Sequence, residues 1–172
     1  MNTVVTAPDP TSTLTQAIRD HDPSMRALAF RLLGDRDVMD DVLQDAYTSA
    51  FRAFGRFRGT ASVGTWLYRI VYNACIDELR RRRPEVIRLG DADRPVEDPT
   101  EAAAHRADLA GALASLTPEQ RAAVLLVDAE GFSYAEAGRI CGVPAGTVGS
   151  RLVEARRILR LALRIDEGDE DR

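Results

Sequence analysis

The chain of 172 residues has no lysine, since all 23 of its basic residues are arginine, and this bias by itself assigns no function. It has only two cysteines, Cys75 and Cys141, and they do not have the spacing of metal ligands. No apolar run approaches the roughly 18 residues that a membrane-spanning helix needs, and no signal peptide is recognisable. These absences predict a reduced, cytoplasmic protein.

Residues with catalytic chemistry are scarce as well. The two histidines, His21 and His105, stand alone among ordinary polar residues. No pattern of nucleophile and base, and no cluster of metal ligands, can be assembled around them. The sequence therefore predicts a protein that is not an enzyme, with no cofactor, no metal and no small-molecule substrate.

Charge is present but unevenly distributed. The whole chain carries a net charge of −4, yet residues 50–90 contain nine arginines against Asp77, Glu78 and Glu85, a local balance of +6. A basic segment in an acidic chain is typical of a surface that binds phosphates, and it favours a nucleic-acid partner.

The centre of this segment is predicted to be a loop followed by a helix. Residues 57–65 are rich in Gly, Ser and Thr, and apolar residues from Trp66 onward recur at helical spacing until Pro84. The outer face of the helix is predicted to carry Arg69, Tyr72, Asn73, Asp77 and Arg80. Aromatic side chains between cations can stack unpaired bases. The alternative is that Trp66 and the tyrosines pack in the core and the arginine run is a solvated helix end.

Two helices are predicted before this segment. Asp22 followed by Pro23 resembles an N-cap with proline at the first helical position, opening a helix through Leu33 that Gly34 ends. A further helix over residues 37–54 has an acidic outer face, made of Asp40, Asp41, Gln44 and Asp45. This face is either simply solvated or a docking surface for a basic partner.

After a proline- and acid-rich stretch, residues 84–100, the second half shows strong helix signals. Capping boxes begin at Thr117 and Ser133. A short helix, a turn at residues 142–144 and a long helix then follow, which is the order of a helix-turn-helix whose second helix enters the DNA major groove. An ordinary helical hairpin is the alternative.

Three stretches in this order resemble the extracytoplasmic-function group of bacterial sigma-70-type sigma factors: residues 41–51, 64–83 and 133–160. The similarity extends over most of the chain from Asp22 to Leu163. It implies an all-α fold of two small helical domains joined by a flexible linker, the second containing the helix-turn-helix. The expected segments are a disordered tail at 1–11, a region 2-like domain at 12–83, a linker at 84–100, a region 4-like domain at 101–165 and an acidic tail at 166–172.

The resemblance implies roles for particular residues. Asp40, Asp41, Gln44 and Asp45 would bind the clamp helices of the largest subunit of core RNA polymerase, and the polymerase flap is a further expected contact. The promoter −10 element would be read on its separated strand by Arg58, Gly59, Thr60, Ala61, Ser62, Val63, Trp66, Arg69, Tyr72, Asn73, Asp77 and Arg80. The −35 element would be read by Thr147, Gly149, Ser150, Arg151, Val153, Glu154 and Arg157. An anti-sigma factor, often membrane-bound in this family, is a further expected partner.

Two positions depart from the family pattern. Gly149 and Glu154 stand where the recognition helix usually has basic residues, so binding to the −35 element is expected to be weaker or unusually specified. The sequence thus predicts a sigma factor that joins polymerase and assists promoter melting. The alternative is a helix-turn-helix regulator that never joins polymerase.

Overall fold

The structure is a computed structural model that describes residues 10–82 and 101–163. All regular elements within these ranges are helical, so the predicted all-α fold is confirmed. The helices are α1 (Pro10–Leu33), α2 (Arg36–Ala53), a 3-10 turn (Phe54–Arg56), α3 (Val63–Arg81), α4 (Glu101–Ala114), α5 (Pro118–Val124), a π-helical extension of α5 (Leu125–Ala129), α6 (Tyr134–Cys141) and α7 (Ala145–Leu163). The predicted linker and the acidic tail lie outside the described residues.

Helix α1 corrects one prediction, because Asp22 does not begin it. The helix starts at Pro10, within the stretch predicted as a tail, and carries Pro23 in its interior. Leu14 is completely buried, so the inward apolar stripe that contains Met25 and Leu28 extends toward the N-terminus beyond Pro23, where the capping signal had predicted the helix to begin. Burial of that stripe outweighs the missing backbone hydrogen bond at Pro23. The Asp22 carboxylate instead accepts a hydrogen bond from Tyr47 at 2.8 Å.

Helix α3 begins three residues before the predicted start at Trp66. The Ser62 side chain caps it by accepting a hydrogen bond from the Thr65 backbone N–H at 3.0 Å. Val63, Gly64 and Thr65 therefore belong to the helix, although their composition resembled that of the loop. A serine in this position satisfies one of the free N–H groups of the first turn, and this local bond sets the boundary.

The capping signals of the second half are confirmed. Thr117 and Ser133 each accept a hydrogen bond from the backbone N–H three residues later, and Gln120 and Glu136 complete the two capping boxes. Gly142, with φ of 69°, ends α6 in the left-handed conformation. At Gly138 a β-carbon would lie 2.7 Å from the carbonyl oxygen of Val143, so the turn packs against α6 at a distance that only glycine allows.

The two halves share a continuous apolar core. Helix α3 packs against α1 and α2 on one side and against α6 on the other, while α1 also contacts α5. The fully buried side chains include Leu28 of α1, Leu67 of α3, Leu126 after α5 and Leu152 of α7. Helix α3 is consequently covered by helices from both halves of the chain.

Arg121 is a buried cation at the junction of the halves, with an exposed fraction of 3%. Its guanidinium donates to backbone carbonyls in the last turns of α4 and α1 and in the turn after α4: Leu113 (2.8 Å), Ala114 (3.4 Å), Arg31 (3.2 Å), Leu32 (3.3 Å) and Leu116 (3.1 Å). Carbonyls in the last turn of a helix have no partner inside it, and a cation there also favours the helix dipole. Burial lowers the pKa of Arg121, but arginine keeps its charge in proteins.

We predict that Arg121→Met reduces the free energy of unfolding by about 3 kcal/mol, because it leaves several buried carbonyls without a donor. Urea denaturation followed by far-ultraviolet circular dichroism measures the change. The control is Arg139→Met on the exposed face of α6, which should stay within about 0.5 kcal/mol of the parent. Equal stability of the two variants would contradict a structural role for the Arg121 bonds.

Candidate nucleic-acid interface

The predicted reading loop lies between the 3-10 turn and α3. Arg58, Gly59, Thr60 and Ser62 are exposed, and Ala61 is half-buried. Gly59 has φ of 66°, and a β-carbon there would meet nothing within 4 Å, so the backbone angle rather than lack of space favours glycine. The loop therefore presents its backbone and one arginine to the surroundings.

Three aromatic rings lie at the base of this loop. Phe54 and Phe57 are stacked with their centroids 5.8 Å apart, and Trp66 is tilted against Phe57 at 5.3 Å. Phe57 and Trp66 are half-buried, so each keeps part of its surface accessible. Core packing and base stacking, the two alternatives predicted for Trp66, are therefore compatible. The ring packs against its neighbours, and its remaining surface is available for stacking.

The outer face of α3 is polar as predicted at four positions. Arg69, Asn73, Asp77 and Arg80 are all exposed at spacings of three or four residues. Arg80 and Asp77 form an ion pair at 3.5 Å in which both side chains are about 70% exposed. Such a pair contributes little to stability and is easily exchanged for another partner. The Asn73 amide, which can both donate and accept hydrogen bonds, lies between Arg69 and Asp77 along the helix.

Tyr72 does not lie on this outer face, and that part of the prediction is wrong. It is 5% exposed, and it lies close to the Cys141 thiol of α6. The physical reason is that the second half of the chain covers the side of α3 that a lone domain would leave open. Burial raises the pKa of Tyr72. While this contact persists, Tyr72 is inaccessible to nucleic acid.

Tyr68 reinforces the same contact one turn earlier. Its hydroxyl donates to the Glu130 carboxylate at 3.0 Å, and its ring meets Phe132 edge-on with centroids 4.8 Å apart. Phe132 and Glu130 follow the π-helical extension of α5, whereas Tyr68 belongs to α3. The aromatic pair and the hydrogen bond together hold the two halves against each other.

The helix-turn-helix places its second helix, α7, with one apolar face inward. Val148, Leu152 and Ala155 are fully buried, so the intervening positions face outward. Of the residues predicted to read the −35 element, three are exposed and the others are half-buried. The exposed ones are Ser150, Val153 and Arg157; the half-buried ones are Thr147, Gly149, Arg151 and Glu154.

Two arginines of α7 form bidentate ion pairs. Arg157 donates to both oxygens of Glu154, at 2.7 and 3.1 Å, which lowers the pKa of Glu154. Arg156 donates to both oxygens of Asp128, at 2.6 and 3.1 Å. Arg157, one of the two arginines expected to contact the −35 element, is thus paired with Glu154, the acid that departs from the family pattern.

The acidic face of α2 is exposed as predicted. Asp41, Gln44 and Asp45 are open to solvent, while Asp40, also exposed, pairs with Arg26 of α1. Phe51 lies on the same helix with 46% of its surface exposed. Sequence reasoning missed Phe51, although its position seven residues after Gln44 places both on one helical face.

The described residues contain no group of three potential metal ligands, and none of the described helices is long and apolar enough to span a membrane. Both cysteines are free thiols. Burial raises the pKa of Cys75 to about 12 and that of Cys141 to about 11.

A helix-turn-helix beside an exposed polar helix face is an arrangement that many helical DNA-binding proteins share. Two family matches make the class specific: residues 17–85 match Sigma-70 region 2, and residues 106–159 match Sigma-70, region 4. The chain belongs to the sigma-70 family of RNA polymerase sigma factors, in the extracytoplasmic-function group. These matches to both sigma regions do not favour the alternative, a helix-turn-helix regulator that never joins polymerase.

Relatives and solved structures agree with this assignment. The chain is 42% identical over 147 residues to the ECF RNA polymerase sigma factor SigM of Mycobacterium tuberculosis, covering 85% of this chain and 75% of that protein. It is 36% identical over 168 residues to EcfG of Rhodopseudomonas palustris, covering 92% and 91%. The sigma factor RpoE of Bartonella quintana, solved with the anti-sigma factor NepR, superposes with a TM-score of 0.72 at 29% identity, covering 88% and 97%.

We predict that Phe132→Ala increases the rate at which a maleimide labels Cys141 by about tenfold, because loss of the ring contact with Tyr68 weakens the packing of α6 on α3 by about 1.4 kcal/mol. Mass spectrometry of quenched samples gives the rate. Cys75, which is fully buried, reports global unfolding in the same experiment and should stay slow. Phe51→Ala is the control, and equal Cys141 rates in both variants would contradict the role of Phe132.

Proposed function

We propose that this sigma factor divides its work between two units, residues 12–83 and 101–165, joined by residues 84–100. The first binds core polymerase and the separated −10 strand, and the second contacts the −35 duplex. The observation that carries the proposal is the exposed row of Arg69, Asn73, Asp77 and Arg80 beside the loop and its aromatic cluster. The chain supplies recognition in the cytoplasm, and polymerase supplies the bond-forming chemistry, so the chain itself is not an enzyme.

Core polymerase docks on the exposed side of α2. Asp41 and Asp45 offer negative charge, Gln44 offers an amide, and Phe51 offers an apolar surface on the same side. A charged rim steers association, while a desolvated aromatic anchor contributes affinity. Asp40 is a weaker candidate for direct contact because its carboxylate is already paired with Arg26.

Capture of the −10 strand uses the loop and the outer face of α3. Removing a base from the duplex costs a few kcal/mol, and stacking on an aromatic ring returns about 1–3 kcal/mol per base. Phe57 and Trp66 provide such surfaces, Asn73 provides a donor and an acceptor for a base edge, and Arg69 and Arg80 neutralise phosphates. Tyr72 can join this site only after the second half moves away from α3.

The −35 duplex meets the outer face of α7. Ser150 and Arg151 lie in its first half, where a helix-turn-helix reads base edges. Arg157 reaches a phosphate by exchanging its exposed partner Glu154, since a surface ion pair is worth about 1 kcal/mol or less. The −35 contact is consequently weaker than that of a helix with unpaired cations.

An anti-sigma factor is the partner that would keep the chain from polymerase. RpoE of Bartonella quintana was solved with NepR, and CnrH, which superposes with a TM-score of 0.70 at 25% identity, was solved with the cytosolic domain of CnrY. By analogy, a partner that covers the acidic side of α2 would block docking, and a membrane-bound partner would hold the chain at the membrane.

The proposed function is tested by mixing the chain with core RNA polymerase. Co-elution in gel filtration and transcripts that depend on a promoter are expected. A protein that binds duplex DNA but neither co-elutes nor supports transcripts would contradict the proposal.

We predict that Asp41→Arg combined with Asp45→Arg abolishes core binding while the free energy of unfolding changes by no more than about 1 kcal/mol, since exposed charges contribute little to stability. A titration of labelled chain with core polymerase measures the affinity. The matched control is Asp20→Arg with Asp108→Arg, which changes the net charge equally at exposed positions of α1 and α4. Similar affinities for both double variants would show that total charge, not this face, governs docking.

We predict that Asn73→Ala lowers transcription from a closed promoter but not from a template whose −10 region is already mismatched. A premelted template no longer needs the free energy that base capture contributes to opening. Run-off transcription on both templates, with core affinity measured in parallel, provides the comparison. An equal loss on both templates, or no loss on either, would remove Asn73 from the melting step.

A further inference from the structure

The outer face of α7 carries an uncharged strip next to α6. At Gly149, the place of a β-carbon lies 3.5 Å from Cε2 and 3.7 Å from Cδ2 of the Tyr134 ring. Tyr134 begins α6 and remains 43% exposed. The aromatic ring thus lies beside α7 at Gly149. A β-carbon at this residue would be in ordinary van der Waals contact with the ring.

Val153 continues the strip one turn further along α7, since residues four apart share a helical face. It is 69% exposed, although Val148, Leu152 and Ala155 fully bury the opposite face of the helix. A single exposed apolar residue needs no explanation. Val153 is different because an exposed aromatic ring and a bare stretch of backbone lie on the same side of the same helix.

Two arginines next to the strip, Arg156 and Arg157, form ion pairs. Arg156 pairs with Asp128 at 2.6 Å. Arg157 pairs with Glu154 at 2.7 Å. The strip formed by Tyr134, Gly149 and Val153 itself carries no charged side chain, so between these arginines it offers a contact to an apolar group.

In the major groove the apolar group offered by the bases is the C5-methyl of thymine. We infer that Val153, on the side of α7 that also carries Gly149 and meets the Tyr134 ring, recognises a thymine methyl in the −35 duplex and so determines one position of promoter specificity. This rests on the proposed function, in which α7 enters the major groove. Gly149, which adds no side chain, lies one turn before Val153 on this side of α7.

The experiment uses holoenzyme assembled from core RNA polymerase and the full chain. Duplexes with a randomised upstream region are selected by binding and sequenced, which identifies any preferred thymines. Each preferred thymine is then replaced by deoxyuridine, which removes only the methyl group. We expect one replacement to weaken binding about fourfold, the effect of burying one methyl-sized group.

Val153→Ser should abolish the dependence on that one methyl and leave the other preferences unchanged. The matched control is Leu161→Ser, because Leu161 is 68% exposed at the far end of the same helix and its variant should keep the dependence. If Val153→Ser retains the fourfold effect, or if no deoxyuridine replacement weakens the parent, the inference is overturned while −35 reading stands. If the parent selects no upstream sequence at all, the proposed role of α7 fails together with the inference.

Discussion

The packing of α3 between the two halves of the chain is the contact on which the rest of the structure depends. One side of this helix completes the core with α1 and α2, and another side meets α6 through Tyr68 and Tyr72. The strip left open is narrow and contains Arg69, Asn73, Asp77 and Arg80. The same helix therefore holds the protein together and presents the exposed polar face that we propose for recognition.

This arrangement brings the two proposed DNA-reading elements close together. Tyr72, predicted for the −10 site, lies close to Cys141 at the end of α6 and to Arg151 of α7. The contact includes the hydrogen bond from Tyr68 to Glu130 and the ring pair of Tyr68 and Phe132 as well as buried apolar side chains. Separating the two halves would expose this apolar surface and leave buried polar groups without partners, so the proposed reading of two DNA elements by two units requires binding energy that offsets this cost.

Short-range signals gave reliable predictions. The capping boxes at Thr117 and Ser133, the end of α1 at Gly34 and the αL turn at Gly142 are all present. Errors arose where a local signal competed with burial elsewhere. Asp22 and Pro23 have the pattern of a helix start, but the apolar stripe of α1 begins before them with the buried Leu14. The polar composition before Trp66 suggested a loop, yet Ser62 caps a helix there.

The amino-acid sequence alone established the all-α class, the order of the helices, the helix-turn-helix and the exposed polar row on α3. These features depend on bonds between residues three or four apart and on the period of the helix, which are readable along the chain. The burial of Tyr72, the contact of Tyr134 with Gly149 and the carbonyl partners of Arg121 required the tertiary structure. Arg121 bonds to a carbonyl 90 residues earlier, and no local pattern encodes which distant surfaces meet, because that is set by packing of the whole chain.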